Sequence, residues 1–338
     1  MRGSKKRNGE NNKDVRRMLR LLTLLFALVA LAVPASAQTA WPSKPVKIMV
    51  PFGPGSTPDL VARLLAEFYQ QDLQGSTFIV ENKPGASGNL GTEAVAKADP
   101  DGATIGVSIG GPLAINTILF SHLKYDPGKE IAAVSQLITQ SSILTVNKSM
   151  GVGSVADLVK ALKADPQKYT FGSIGAGSLS HLAMEAIAQK ADVKIVHLAM
   201  QGSPAAMTAL MRNDVQLACL PSIAVTPQAG SGDIKMLAVS TAKRSPFVPD
   251  LPTLKESGID VEADTWLGLI APAGVAPEII DKLHKLTVKA LAAPQIKERL
   301  AALQMEPVGS SPAEFRALID AEISRWAPVI KAAGIKIN

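Results

Sequence analysis

Residues 46–65 read VKIMVPF, then GPGSTP, then DLVARLL. A β-branched run, broken by Gly and Pro and followed by Leu60, Val61, Leu64 and Leu65, predicts a strand, a tight loop and an amphipathic helix. Thr57 is placed to cap that helix. Pro58 then takes the first helical position, where a missing N–H costs nothing, and Asp59 lies in the first turn, where the helix dipole favours an acid. Gly53 and Gly55 let the backbone turn its amides outward. The loop is therefore either a cradle for a small anion or a well-capped connector.

The same unit recurs along the chain. Strands are expected at 77–80 and 104–108, each followed by a Gly-rich loop and a helix, near 91–98 and 113–120. Three such units in a row call for an α/β fold class built on a parallel sheet covered on both faces, with ligands at the carboxyl ends of the strands. The pattern resumes with strands at 143–146, 169–174, 195–198, 215–220 and 235–240. Helices begin at Ser154, whose spacing to Asp157 fits a capping box, around Leu182, and over 205–211. Residues 243–258 are dense in Pro, Ser and charge and read as irregular surface structure. A strand at 266–272 and helices at 276–292, 294–303 and 312–332 finish the chain.

Residues 1–37 stand apart. Eight Lys and Arg side chains precede an apolar run at 21–33, and Ala35-Ser36-Ala37 supplies a small-x-small cleavage site, the pattern of a secretory signal peptide. The run is short for a membrane span, and Arg16-Arg17 matches a twin-arginine signal in part, so the export route stays open. The whole chain has 35 basic and 29 acidic side chains; these 37 residues hold 8 and 2 of them, so the remainder carries 27 of each. A neutral mature chain has no basic surplus for nucleic acid or acidic membranes. Cys219 is the single cysteine, so an exported chain must be held by its core rather than by a disulfide.

From about residue 45 onward the chain resembles the Bug/TctC family of exported solute-binding proteins. The resemblance rests on the order and spacing of several pieces: VPFGPG at 50–55, ENKPG at 81–85, PDG at 100–102, LAIN at 113–116, YDP at 125–127, LAVS at 237–240, AKRSP at 242–246, PDLPT at 249–253, and Arg325-Trp326. It implies a two-lobed periplasmic binding protein of type II-like fold, each lobe a mostly parallel sheet flanked by helices, with the ligand cleft between lobes. Residues 38–140 and 263–338 would form lobe 1 and residues 141–262 lobe 2, the chain crossing near 138–142 and 263–267. It further implies a non-enzymatic receptor that captures a small carboxylate-type or aromatic-acid metabolite for a tripartite tricarboxylate-type transporter. A handover to a signalling sensor is the alternative partner; no nucleic acid, metal or other cofactor is expected, and a monomer is. The chain departs from the family at Ser56, Ala176, Gln201 and Leu220, where a Gly, an Asn, a Lys and an Asp are common. Lost charge and amide groups imply a more apolar or less charged ligand, an aromatic acid or monocarboxylate rather than a simple dicarboxylate.

The expected cleft residues are Phe52, Gly53, Ser56, Thr57, Ser108, Gly111, Ser178, Ser180, Gln201 and Gly202. Ser178 and Ser180 can either donate hydroxyls to a carboxylate or cap their helix, which uses the same geometry. A competing signal is the GVSIG at 106–110, formally the turn that exposes a serine nucleophile, here Ser108, in α/β-hydrolases. His181, His197 and His284 could serve as base, but no oxyanion segment lies upstream. GVGSVA at 151–156 is a loose dinucleotide fingerprint that helix capping explains better. The four histidines lack metal-ligand spacing. Trp266 and Trp326 are expected to pack the lobes rather than stack a ligand.

Overall fold

Two sheets organise residues 41–337, the part of the chain that the computed structural model describes. The expected signal peptide lies outside the described residues. Among those residues no helix is long and apolar enough to cross a membrane.

The opening unit forms as its pattern dictates: β1 (Val46–Val50), a Gly-Pro loop, and α1 (Thr57–Asp72), whose Val61, Leu64 and Leu65 are buried on β1. After it come β2 (Phe78–Asn82), α2 (Asn89–Ala96) and β3 (Thr104–Ile109). The helix expected at 113–120 is instead a wide π turn (Gly111–Ile115) running into the short α3 (Asn116–Leu119). β4 (Ile131–Gln140) then leaves the first sheet, and after the single residue Ser141 the chain enters the second as β5 (Ser142–Asn147). There follow α4 (Val155–Ala164), β6 (Thr170–Ser173), α5 (Leu179–Ala191), β7 (Val196–Ala199), α6 (Ser203–Met211), β8 (Leu217–Pro221), α7 (Ser222–Val225) and β9 (Ile234–Val239). The chain returns through β10 (Thr265–Pro272) to α8 (Pro277–Ala292), α9 (Pro294–Ala302), β11 (Glu306–Pro307) and α10 (Pro312–Ala333).

The first sheet has the order β11-β4-β10-β3-β1-β2 and the second β7-β6-β8-β5-β9. β1 pairs in parallel with β2 and β3, and β6 with β7 and β8. The strands that arrive after each passage break that rule: β10 runs antiparallel to β3 and β4, and β5 antiparallel to β8 and β9. Four strands of each sheet still share one direction, so the sheets are mostly parallel as expected. β10 is buried along almost its whole length, as a strand covered by helices on both faces must be.

Two contacts tie the passages together. Ser240, fully buried, accepts a hydrogen bond from the amide of Ser142 (3.1 Å) and donates one to the carbonyl of Ala263 (3.0 Å). Thr139, near the end of β4, donates to Oδ2 of Asp264 at the mouth of β10 (2.6 Å). α10, capped by the reciprocal Ser311–Glu314 box, joins the two cores: Phe315 and Ile319 pack under the first sheet, Trp326 and Ile330 under the second.

Candidate functional site

A cavity of about 450 Å³ opens between the two sheets, with walls drawn from both. Its loops are the ones that follow strands, and helix starts meet there: Ser56 to Pro58 of α1, Ser178 and Leu179 of α5, and Ser203 of α6. First-turn N–H groups have no acceptor inside their own helix, so each start brings free donors and a positive dipole end. Among the described residues, no Lys, Arg or His lines the cavity.

In the β1–α1 loop the cap is Ser56, not Thr57, and Pro58 is at the second helical position. The cause is Asp59, whose carboxylate is buried and accepts the amide of Gly55 (2.8 Å), Nε and Nη2 of Arg63 (3.0 and 2.9 Å) and the side-chain amide of Asn82 (2.9 Å). Burial pushes the Asp59 carboxyl up, but the bonds from Arg63, Gly55 and Asn82 outweigh it and hold it below the usual carboxylate range. Asp59 is thus consumed in bracing its loop. Ser56 makes no capping bond, and its buried hydroxyl has no partner. It is an unspent donor on the cavity wall.

The β6–α5 loop is built differently. Ser178 donates to the carbonyl of Gly175 (2.6 Å) and accepts from the amide of His181 (3.4 Å); Ser180 accepts from the amide of Ile174 (2.9 Å) and bonds Ser178. Both hydroxyls hold the loop, and only Ser178 reaches the wall. Beneath it the rings of His181 and His197 stack at 3.6 Å, with Phe171 against His197. His181 Nδ1 accepts the amide of Gly177 (3.0 Å), and His197 Nε2 shares a hydrogen with Ser173 (2.7 Å). Burial, then the neighbouring His181, lowers the His197 pKa to about 4.

Of the ten expected residues, Phe52, Ser56, Thr57, Gly111 and Ser178 are brought together on the cavity wall. Gly53 and Gly202 shape its loops from behind; the Gly53 carbonyl accepts from Ser56 and the Gly202 amide donates to Ile174. Ser180 lies under its loop and Gln201 is exposed. Ser108 turns the other way, buried against Thr92 of α2 (2.9 Å). Its side-chain bond is to a threonine rather than a histidine, so the nucleophile reading of 106–110 has no base.

The unforeseen wall residues include Gln140 and Asp264, where the chain passes between sheets, and Glu322 on α10. Glu322 is buried with both oxygens engaged. Oε2 accepts the indole N–H groups of Trp326 (2.9 Å) and Trp266 (3.3 Å), and Oε1 pairs with Arg325 (2.8 Å). Among the described residues, Thr139 is the one side chain that hydrogen-bonds Asp264. Burial pushes both carboxyl groups above their ordinary range. An acid placed two residues before Trp266, inside an expected crossing, was the available signal. The two tryptophans do pack the structure, as expected, and Trp266 also faces the cavity.

Comparison with known proteins agrees with this geometry. Residues 61–335 match the family model described as the tripartite tricarboxylate transporter family receptor. Protein BugT of Bordetella pertussis is 32% identical over 309 residues, 91% of this chain and 94% of that one. Among solved structures, Rpa4515 of R. palustris with adipate is 33% identical at a TM-score of 0.76, covering 88% of this chain and 99% of that one. MatC from Rhodopseudomonas palustris with bound malate is 28% identical at a TM-score of 0.71, covering 86% of this chain and all of that one (100%).

Proposed function

This chain belongs to the tripartite tricarboxylate transporter receptor family, whose members are periplasmic solute-binding receptors rather than enzymes, and on that premise we propose how it takes its solute. A small carboxylate-bearing metabolite enters the cavity between two lobes, residues 38–140 with 263–338 and residues 141–262, and leaves chemically unchanged. One observation carries the reading: helix starts from both sheets line one cavity with the unpartnered hydroxyl of Ser56, and no basic side chain lines it among the described residues. Backbone amides and dipole ends hold an anion without a balancing guanidinium, and they do so more strongly once closure excludes water. Phe52, Ser56, Thr57, Gly111 and Ser178 touch the solute, while Gly53 and Gly202 set the loops that carry them. The adipate and malate of two structural neighbours support a carboxylate as the common feature.

Residues 1–37 direct export and are removed, and the loaded receptor, a monomer, delivers its solute to membrane transporter subunits. A thermal-shift screen over aliphatic mono- and dicarboxylates, aromatic acids and their amides tests the reading. A matched solute at a hundred times its Kd stabilises the protein by about 2.7 kcal/mol, which is a clear rise in Tm. A flat screen across all classes would overturn it.

A further inference from the structure

We propose that the cavity selects a carboxylate whose far end carries an ammonium nitrogen seated on Asp264, and disfavours a dicarboxylate of the same length. This deepens the receptor reading above and rests on it.

The two kinds of wall differ in sign. Helix starts and the π turn bring positive dipole ends, whereas the passage between the sheets brings carboxyl groups. Around Asp264 stand Glu262, Glu306 and Glu322, four acids in all, against the single guanidinium of Arg325. Arg325 does not reach the cavity; it is held behind the wall by Glu322 (2.8 Å) and Glu262 (3.2 Å). Glu322 has spent both oxygens on Arg325 and the two indoles, and the side-chain amide of Gln140 donates to the carbonyl of Leu303 (3.0 Å). Asp264 is different. Thr139 occupies its Oδ2, and no other side chain bonds it among the described residues, so this carboxylate faces the cavity with acceptor capacity left.

A second carboxylate placed there would meet like charge in a poorly solvated site, a strong penalty unless one of the two takes up a proton. An ammonium reverses the sign. It makes a charge-assisted hydrogen bond and offsets the burial that pushes the Asp264 carboxyl up. Of the charged and polar side chains on the cavity wall, Asp264 is the carboxylate with acceptor capacity left, so it is the group that discriminates.

The test is calorimetric titration of the purified protein with two length-matched sets: 6-aminohexanoate, adipate and hexanoate, then 4-aminobutyrate, succinate and butyrate. In at least one set the amino acid binds about tenfold or more tighter than the dicarboxylate, the difference of one charge-assisted hydrogen bond, with the monocarboxylate between them. Asp264→Asn reverses that order, weakening the amino acid and strengthening the dicarboxylate. Equal or tighter dicarboxylate binding by the wild-type protein overturns the inference, as does an unchanged ratio in Asp264→Asn. No binding in either set overturns it too, whereas the receptor reading falls only with the wider acid screen.

Discussion

Gly268 of β10 sits opposite Ser108 of β3 and directly under the ring of Phe315 from α10. A Cβ added there would lie 1.8 Å from Cζ, 2.4 Å from Cε1 and 2.7 Å from Cε2. Carbon atoms prefer about 3.5–4.0 Å, so the ring must retreat by roughly 1.5–2 Å. It has nowhere to go. Phe315 is fully buried, and Trp266 stands edge-on to it with centroids 5.7 Å apart. Overpacking a closed core costs about 1–3 kcal/mol, and β10 is pinned between β3 and β4, so Gly268→Ala is expected at the upper end, about 3 kcal/mol. Solute affinity falls with it, because Trp266 and Leu267 form cavity wall on the same strand. The assay is urea unfolding followed by tryptophan fluorescence, run as a double-mutant cycle with Phe315→Leu. Removing the ring edge relieves the clash, so the pair should couple favourably by about 2 kcal/mol. Gly230→Ala, where an added Cβ meets nothing within 4 Å, is the control and should stay within about 0.5 kcal/mol of wild type. Additive effects of Gly268→Ala and Phe315→Leu, to within about 0.5 kcal/mol, would refute the close-packing argument.

Asp59→Ala removes the acceptor for Gly55, Arg63 and Asn82 and should cost about 1–3 kcal/mol at pH 7. Because the native carboxyl titrates below the ordinary 3.8, its contribution is full above that value and is lost as pH falls through the native pKa; the gap between wild type and variant must therefore close on acidification. His197 has the opposite chemistry and the same outcome. Its native pKa near 4 lies below the ordinary 6.5, so the unfolded state binds more protons between the two and stability declines as pH drops across that window. His197→Gln should flatten this limb in denaturation curves taken from pH 7.5 to 4.5; an unchanged slope would assign it to other groups. Cys219 is fully buried with its thiol pushed up to about 12 by burial, so a chromogenic disulfide reagent at pH 8 should label it only in urea, in step with unfolding. Ser178→Ala loses a helix cap, about 1 kcal/mol, and should weaken solute binding while far-UV dichroism stays native.

The loops and helices around the cavity were readable because their signals are local. A β-branched run, a Gly-Pro break and a helical stripe specify β1 and α1 within twenty residues, and the same logic finds α5 and α8. β4 escaped it. Its Ser135 and Gln140 are buried, which a local reading takes as loop, because they are satisfied by Ser310 and Leu303, more than 160 residues away. Ser108 failed for a smaller reason. Successive strand residues face opposite ways, so Ile109 reaches the cavity while Ser108 meets Thr92. The acids failed for the general reason that a carboxylate in sequence implies solvent. Glu322 is kept inside by indole donors from Trp266 and Trp326, and the first of these is 56 residues distant.

Those long-range bonds also explain why Asp264 matters beyond recognition. It lies at the entry to β10, and the bond it accepts comes from β4, so one carboxylate links the two strands by which the chain passes between sheets. The Ser240 hydroxyl makes the neighbouring tie to backbone groups, the Ser142 amide and the Ala263 carbonyl, and neither can be replaced by a solute. The Thr139 hydroxyl is the replaceable partner. On the proposed reading, a guest donor at Asp264 competes with it or shares the carboxylate with it, next to the residues where the chain passes between sheets. If the proposed solute contact forms there, Thr139→Ala should change solute affinity as well as stability, whereas Ser240→Ala, whose partners a solute cannot replace, should change stability alone.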